Sequence, residues 1–424
     1  MLFSKKSDSL HGRDDMNILF LSLIFYKSVN VSDIYADLLR EFIKHGHKIS
    51  IISPAERRRR IPSGVVYRRH YEILYVKTGN LQKTNAIEKG ISYILLEKAY
   101  KAAIRKYFSG KKFDLVLYVT PPITFTGAVK YVKHRDGAKT YLMLKDIFPQ
   151  NAVDLGFLKK YGWKKLIYVY FREKEKQLYQ ISDYIGCMSS ENIAYIRLHN
   201  PEIQDGRTEL CPNCMEPSGC RLSMKERDSV REMYGIPKDR FVFIYGGNLG
   251  KAQGIPLIVE CIRQMEKYGH LYWVIAGSGT EYEKIENTVQ KNRNGNVKLI
   301  RELPVGQYER LVRACDCGMI FLDYRFTIPN FPSRLLSYMN GRLPVLAVTD
   351  DKSDVGSTIC QGDFGWNIQN GSAAEVIQKM DEISQMDGLQ QYGDNAYRYL
   401  ELHYTAKAVF DIIIKHVAEN GKEK

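Results

Sequence analysis

No apolar run in this 424-residue chain approaches the roughly 18–20 residues that a helix needs to span a bilayer. The longest candidates, such as 241–245 and 344–348, have the length of strands, so the sequence predicts a protein that does not cross a membrane. Proline is scarce at 14 residues, while 44% of the chain is hydrophobic and 12% aromatic. A chain of that composition can bury large cores and is neither disordered nor of low complexity. The first fifteen residues lack the apolar stretch of a signal peptide. They read as a loose leader, 1–15, with Met16 as a candidate start just before the first strand, and the protein is expected in the cytoplasm.

The eight cysteines are scattered and lack the two close pairs of a structural zinc site. Cys211-Pro212-Asn213-Cys214 has the spacing of a redox or half-zinc motif, but Pro217 and Gly219 follow where a redox thiol would need a helix. Cys315 and Cys317 stand far from it in the chain. The thiols therefore read as small buried apolar residues, and no metal is expected. Asp350, Asp351 and Asp354 read as a solvated loop, since the chain has no Asp-x-Asp pair.

Positive charge is in excess, and it is one-sided. Residues 1–220 hold 36 Lys+Arg against 22 Asp+Glu, the whole of the +14 net charge, while residues 221–424 hold 26 of each. The N-terminal half alone is thus expected to meet an anionic partner.

Short β-branched runs alternate with helical patterns along the chain, as in βαβ units, and the series occurs twice. The first series predicts strands near 17–23, 48–53, 114–120, 139–146 and 183–189; the second, strands near 241–248, 271–277, 297–303, 318–323, 344–349 and 365–368. Pro201, Pro212 and Pro217 interrupt the pattern between them. The expected architecture is α/β: a doubly wound, Rossmann-like domain over 16–205, a linker at 206–222, a second such domain over 223–400, and a terminal helix in 401–424 that finishes the second domain or crosses back to the first. Ligands of open α/β sheets bind at the carboxyl edges of the strands, here facing each other across a cleft.

Three turns on the second sheet's edge suit phosphate. Gly246-Gly247-Asn248-Leu249-Gly250-Lys251 leads from a strand into a helix near Ile255, offering close backbone approach, free N–H groups and a lysine. It is neither a Walker A sequence nor a dinucleotide fingerprint. Ala276-Gly277-Ser278-Gly279 forms the second turn, and Phe331-Pro332-Ser333-Arg334 the third. There Ser333 is expected to N-cap a helix, and Arg334, unfavourable for the helix dipole, reads as an anion clamp.

These motifs, with Phe331-Pro332-x5-Tyr338-Met339-x4-Pro344-Val345, resemble the donor domain of glycosyltransferase family 4, retaining enzymes of GT-B architecture. The N-terminal half agrees through Gly46-His47-Lys48-Ile49 and Asp146-Ile147-Phe148-Pro149, and Pro212-Asn213 matches the family's passage into the second domain. The wording of 326–345 is similar to bacterial O-antigen and capsule transferases that add N-acetyl-L-fucosamine. One departure stands out. The family's paired glutamates fall at Pro329 and Ser337, and neither is acidic.

The resemblance implies transfer of a sugar, with retention, from a UDP-sugar to a polyprenyl-diphosphate-linked saccharide, with no cofactor. It implies Lys251, Arg334 and Asp146 as catalytic, and Gly246, Gly247, Asn248, Gly277, Gly279, Leu303, Asp323, Asn330, Phe331, Ser333 and Ser337 as donor-binding, with Asp323 or Asn330 rebuilding sugar recognition. Asn30 and Ser32 are acceptor candidates, and Asp146 reads equally well as a cap of the segment after it. Arg57, Arg58, Arg59, Arg60, Lys164 and Lys165 are expected to face an anionic inner-membrane surface, making the protein peripheral to it. A GT-B nucleotide-sugar epimerase or an inactive relative remains the alternative; a nucleic-acid binder is more remote, because no recognised binding module is present.

Overall fold

The computed structural model describes residues 15–418 apart from 32, 34, 82, 83 and 85. Two sheets organise it. The first contains β1 (Asn17–Leu21), β2 (Lys48–Glu56), β3 (Gly64–Tyr67), β4 (Tyr71–Thr78), β5 (Leu115–Thr120), β6 (Lys139–Leu144), β7 (Tyr184–Cys187) and β8 (Thr208–Leu210). They lie in the order β3-β4-β2-β1-β5-β6-β7-β8, parallel except for the β3–β4 hairpin. The second contains β9 (Phe241–Asn248), β10 (Leu271–Ser278), β11 (Val297–Ile300), β12 (Cys317–Phe321), β13 (Val345–Thr349) and β14 (Gly365–Gln369). Its order is β11-β10-β9-β12-β13-β14, all parallel, so the strand order reverses between β9 and β12 and opens a crevice at their carboxyl ends.

The sequence accounts for this locally. Every residue of β5, β12 and β13 is buried, as continuous apolar runs covered by helices on both faces require. Helix Ala373–Ser384 starts on a capping box between Ser372 and Glu375 and buries Ala373, Val376, Ile377, Met380 and Ile383, one stripe at helical spacing.

Three strands escape the sequence pattern. β3 and β4 form an edge hairpin whose turn carries charged rather than turn-specific residues, and β8 is only three residues long. Because β8 pairs with β7, the first domain extends into the stretch expected as linker. The terminal helix, Ala406–Ala418, returns to the first domain: Val409, Phe410 and Ile413 join its core, and Phe410 meets Phe42 with ring centroids 4.9 Å apart. Cys211 and Cys214 are buried in the same cluster, not joined as a disulfide. Among the described residues no helix is long and apolar enough to cross a membrane.

Candidate functional site

The crevice at the end of β9 is built by glycines packed backbone to backbone. β9 and β10 run in register with Gly247 opposite Gly277. A Cβ on Gly277 would collide with the Gly247 carbonyl, and one on Gly279 with the Leu249 backbone. The Leu249 N–H donates to the Ser278 carbonyl at 2.9 Å, zipping the two turns together. Gly247 has φ +110°, a conformation that only glycine adopts readily. Asn248 ends the strand, its carbonyl accepting from the Tyr245 hydroxyl at 3.1 Å.

After Gly250 the chain makes a tight turn over Lys251–Gln253 and enters helix Ile255–Gln264, where the sequence predicts a helix start. Lys251 is exposed; its Nζ lies 5.5 Å from the Phe157 ring, across the cleft on the first domain. Arg334 opens helix Arg334–Asn340 and reaches the same turn. Its guanidinium sits 4.4 Å over the Tyr245 ring, Nη2 donates to Gln253 Oε1 at 2.7 Å, and Nη1 is buried with no protein partner. The phenols around it, Tyr308, Tyr245 and Tyr338, are all held neutral by burial, which pushes their pKa values up. No carboxylate pairs with Arg334 among the described residues. A buried cation with a free donor and no counter-charge is costly unless an anion completes the site.

Other expectations fare differently. Ser333 already has helical φ and ψ, −62° and −20°, so its side chain makes no capping bond, and it is exposed. Asp323 does not offer a free carboxylate: both oxygens bond Arg325, at 2.8 and 2.6 Å, while its N–H ties the turn to the Ala252 carbonyl. Asn330 keeps its amide Nδ2 buried and unpartnered, the better placed of the two for a ligand. Leu303 and Phe331 pack against the second domain's core. Ser337 donates to Glu309 Oε1 at 2.7 Å; burial pushes this carboxyl's pKa up, and its Oε2 has no partner. Gln253, Tyr308 and Glu309 were not singled out in the sequence. Gln253 lies just past Lys251, in the turn that leads into the helix, but nothing in spacing marks Glu309, on the neighbouring helix Val305–Arg313.

On the first domain, Asp146 follows the carboxyl end of β6 and accepts from Asn151 Nδ2 at 2.6 Å. Burial raises its pKa to about 6 against the pull of the Ile147 N–H and Asn151. Capping of the following segment is therefore real, and it leaves a carboxyl that titrates near neutrality. Asn30 is exposed, its N–H bonded to Ser28 Oγ at 3.0 Å; Ser32 lies outside the described residues. The tetra-arginine run is partly spent inside the chain: Arg57 pairs with Glu88 at 2.8 Å, Arg58 with Glu56 at 2.7 Å, and Arg59 covers the Phe25 ring at 3.9 Å.

A strap after β12 closes one side of the cleft. The Thr327 N–H donates to Asp154 at 2.9 Å, Asn192 Nδ2 donates to the Pro329 carbonyl at 2.9 Å, and Phe326 and Ile328 are buried in the first domain's core. Two facing Rossmann-like domains with the crevice between them are the GT-B arrangement.

Residues 226–399 match the family model described as Glycosyl transferases group 1. That match lies within the second domain. The chain is similar to the probable glycosyltransferase WbjE of Pseudomonas aeruginosa, 22% identical over 325 residues, 76% of this chain and 78% of that protein. It is also similar to the putative colanic acid biosynthesis glycosyl transferase WcaI of Escherichia coli K12, 21% identical over 238 residues, 54% of this chain and 55% of the relative. Among solved structures, sucrose-phosphate synthase from Thermosynechococcus elongatus superposes with a TM-score of 0.72 at 15% identity, covering 96% of this chain and 100% of that one. HepE of Anabaena, solved with UDP-glucose, gives 0.66 at 14%, covering 95% and 99%. WaaG, a glycosyltransferase involved in lipopolysaccharide biosynthesis, gives 0.63 at 15%, covering 93% and 99%.

Proposed function

We propose that the chain is a retaining glycosyltransferase of family 4 type that moves a sugar, N-acetyl-L-fucosamine in the reading the sequence favours, from its UDP-sugar to a polyprenyl-diphosphate-linked saccharide. The product belongs to O-antigen or capsular polysaccharide assembly at the inner face of the plasma membrane. One observation carries the donor side: the half-buried Arg334 side chain, with its buried Nη1 unpartnered and no carboxylate paired with it among the described residues, next to the glycine turn that ends in Lys251. A diphosphate supplies the charge this site lacks. The structural neighbour solved with UDP-glucose supports the same donor class.

The hard step is separation of charge as the sugar–phosphate bond lengthens. Arg334, Lys251 and the backbone N–H groups of the glycine turn stabilise the departing diphosphate, a fixed electrostatic contribution that needs no reorganisation. Strap and cleft orient the acceptor hydroxyl, and Asp146, opposite, accepts its proton or fixes its direction. The reaction as proposed calls for no cofactor.

The experiment is a panel of UDP-sugars incubated with the full chain and a lipid-diphosphate-linked N-acetylglucosamine acceptor, read by mass. One donor should extend the acceptor. UDP binding without elongation by any donor would overturn the transferase reading, and turnover of donor alone would favour the epimerase.

A further inference from the structure

Helices Ala86–Tyr107 and Lys164–Ile181 both run back along the first sheet from its carboxyl edge, so they are parallel to each other. They meet at an ion pair between Lys174 and Glu97, 2.9 Å, and the Glu97 side chain lies against Gly127, in the first turn of helix Thr126–Asp136 between them. Both outer helices therefore project past that level by about three turns. On this tip the apolar side chains face water. Ile91, Ile94 and Leu95 are exposed on one helix; Leu166 (76%) and Val169 are exposed on the other, with Trp163 (72%) and Tyr161 (68%) just before it. Exposed apolar side chains gathered at one end of a fold mark an interaction surface.

Its charge selects the partner. From 155 to 172 the chain has no acidic residue and five basic ones, and among the described residues no carboxylate pairs with Lys159, Lys160, Lys164 or Lys165. Phe157, at the inner end of the patch, lies under Lys251 at the mouth of the cleft. We propose that this two-helix tip inserts its apolar and aromatic side chains into an anionic phospholipid bilayer while the lysine collar holds the headgroups. This deepens the lipid-linked acceptor reading above: the acceptor's head would emerge from the bilayer beside Lys251. It also relocates the contact, since Arg57 and Arg58 are paired with carboxylates within the chain. Insertion of aromatic tips and basic collars is how interfacial surfaces hold a membrane without crossing it.

The test uses the full chain with vesicles of phosphatidylcholine, alone or with one third phosphatidylglycerol, and no acceptor, so that it does not depend on transfer. The chain should sediment with the anionic vesicles only. Trp163 fluorescence should shift to the blue, a shift absent from Trp163→Phe; Trp273 is buried, and Trp366 is half-buried against Tyr392 in the second domain, so neither should shift. Leu166→Ser should weaken binding, and each of Lys159→Gln, Lys160→Gln and Lys165→Gln should weaken it about fivefold. All of these side chains are exposed, so matching melting curves verify folding. Equal binding to neutral vesicles, a silent Trp163, or a dimer that Leu166→Ser converts to monomer would each overturn the proposal. Transfer to a soluble acceptor should persist in the variants; its absence from the wild type would instead count against the transferase reading.

Discussion

Nη2 of Arg334 donates to Gln253 Oε1 at 2.7 Å, while Nη1 is buried without a hydrogen-bond partner. Gln253 thus orients a fork rather than neutralising it. Arg334→Ala should lower kcat/KM by about 10²–10³, the usual loss for a fixed donor at developing negative charge. Arg334→Lys should recover little, because a point charge reproduces neither the fork nor its stacking on Tyr245. Steady-state rates with the best UDP-sugar, beside UDP affinity by calorimetry, check this; an unchanged UDP affinity in Arg334→Ala would remove the residue from the site.

Gly277→Ala tests the backbone cradle. The added methyl meets the Gly247 carbonyl, which cannot move without breaking the β9–β10 register. A loss of about 1–3 kcal/mol in urea unfolding is expected, as for other overpacked sites, together with loss of UDP binding. A stable Gly277→Ala chain that binds UDP normally would show that the two turns are not held as close as described.

Glu309 returns a carboxylate to the place where the family pattern has a glutamate and this chain has Ser337. The Ser337 hydroxyl holds one oxygen at 2.7 Å and the other is free of protein partners. If this pair receives the ribose hydroxyls, UDP should bind more tightly than 2′-deoxy-UDP, and Glu309→Gln should erase most of that preference. The expected loss in UDP affinity is about 10-fold or more, the scale of a hydrogen bond to a charged group. Equal preference in wild type and variant, measured by competition, would make Glu309 purely structural.

The parts of this site that were legible in the sequence are those made by local chemistry. The glycine turn, Lys251 and Arg334 lie in short segments whose residue types alone state a phosphate preference, and alternating strands and helices reveal both sheets. What was missed depends on packing between distant segments. Glu309 reaches Ser337 across two helices, and the two-helix tip emerges because helix Thr126–Asp136 starts later than its neighbours; Asp323 is the local exception, engaged by Arg325 two residues on where the turn folds back. The tetra-arginine run shows the converse: its local charge is conspicuous, yet Glu88, Glu56 and Phe25 engage three of its four members.

Asp146 gives a pH signature. Its pKa of about 6, raised by burial, means the folded chain binds this proton more tightly than the unfolded one. Between about pH 4 and 6 the unfolded state has therefore lost a proton that the native state keeps, so stability from this group falls as pH rises through that window and is level above it. Asp146→Asn should remove the fall, seen as a flatter plot of urea midpoint against pH. Activity runs the other way. If the carboxylate accepts from the acceptor hydroxyl, kcat/KM for acceptor should rise through an inflexion near pH 6, and Asp146→Asn should lose the inflexion along with about 10²–10⁴ in rate. A variant that changes the stability profile but leaves the rate and its pH dependence intact would assign Asp146 to capping alone.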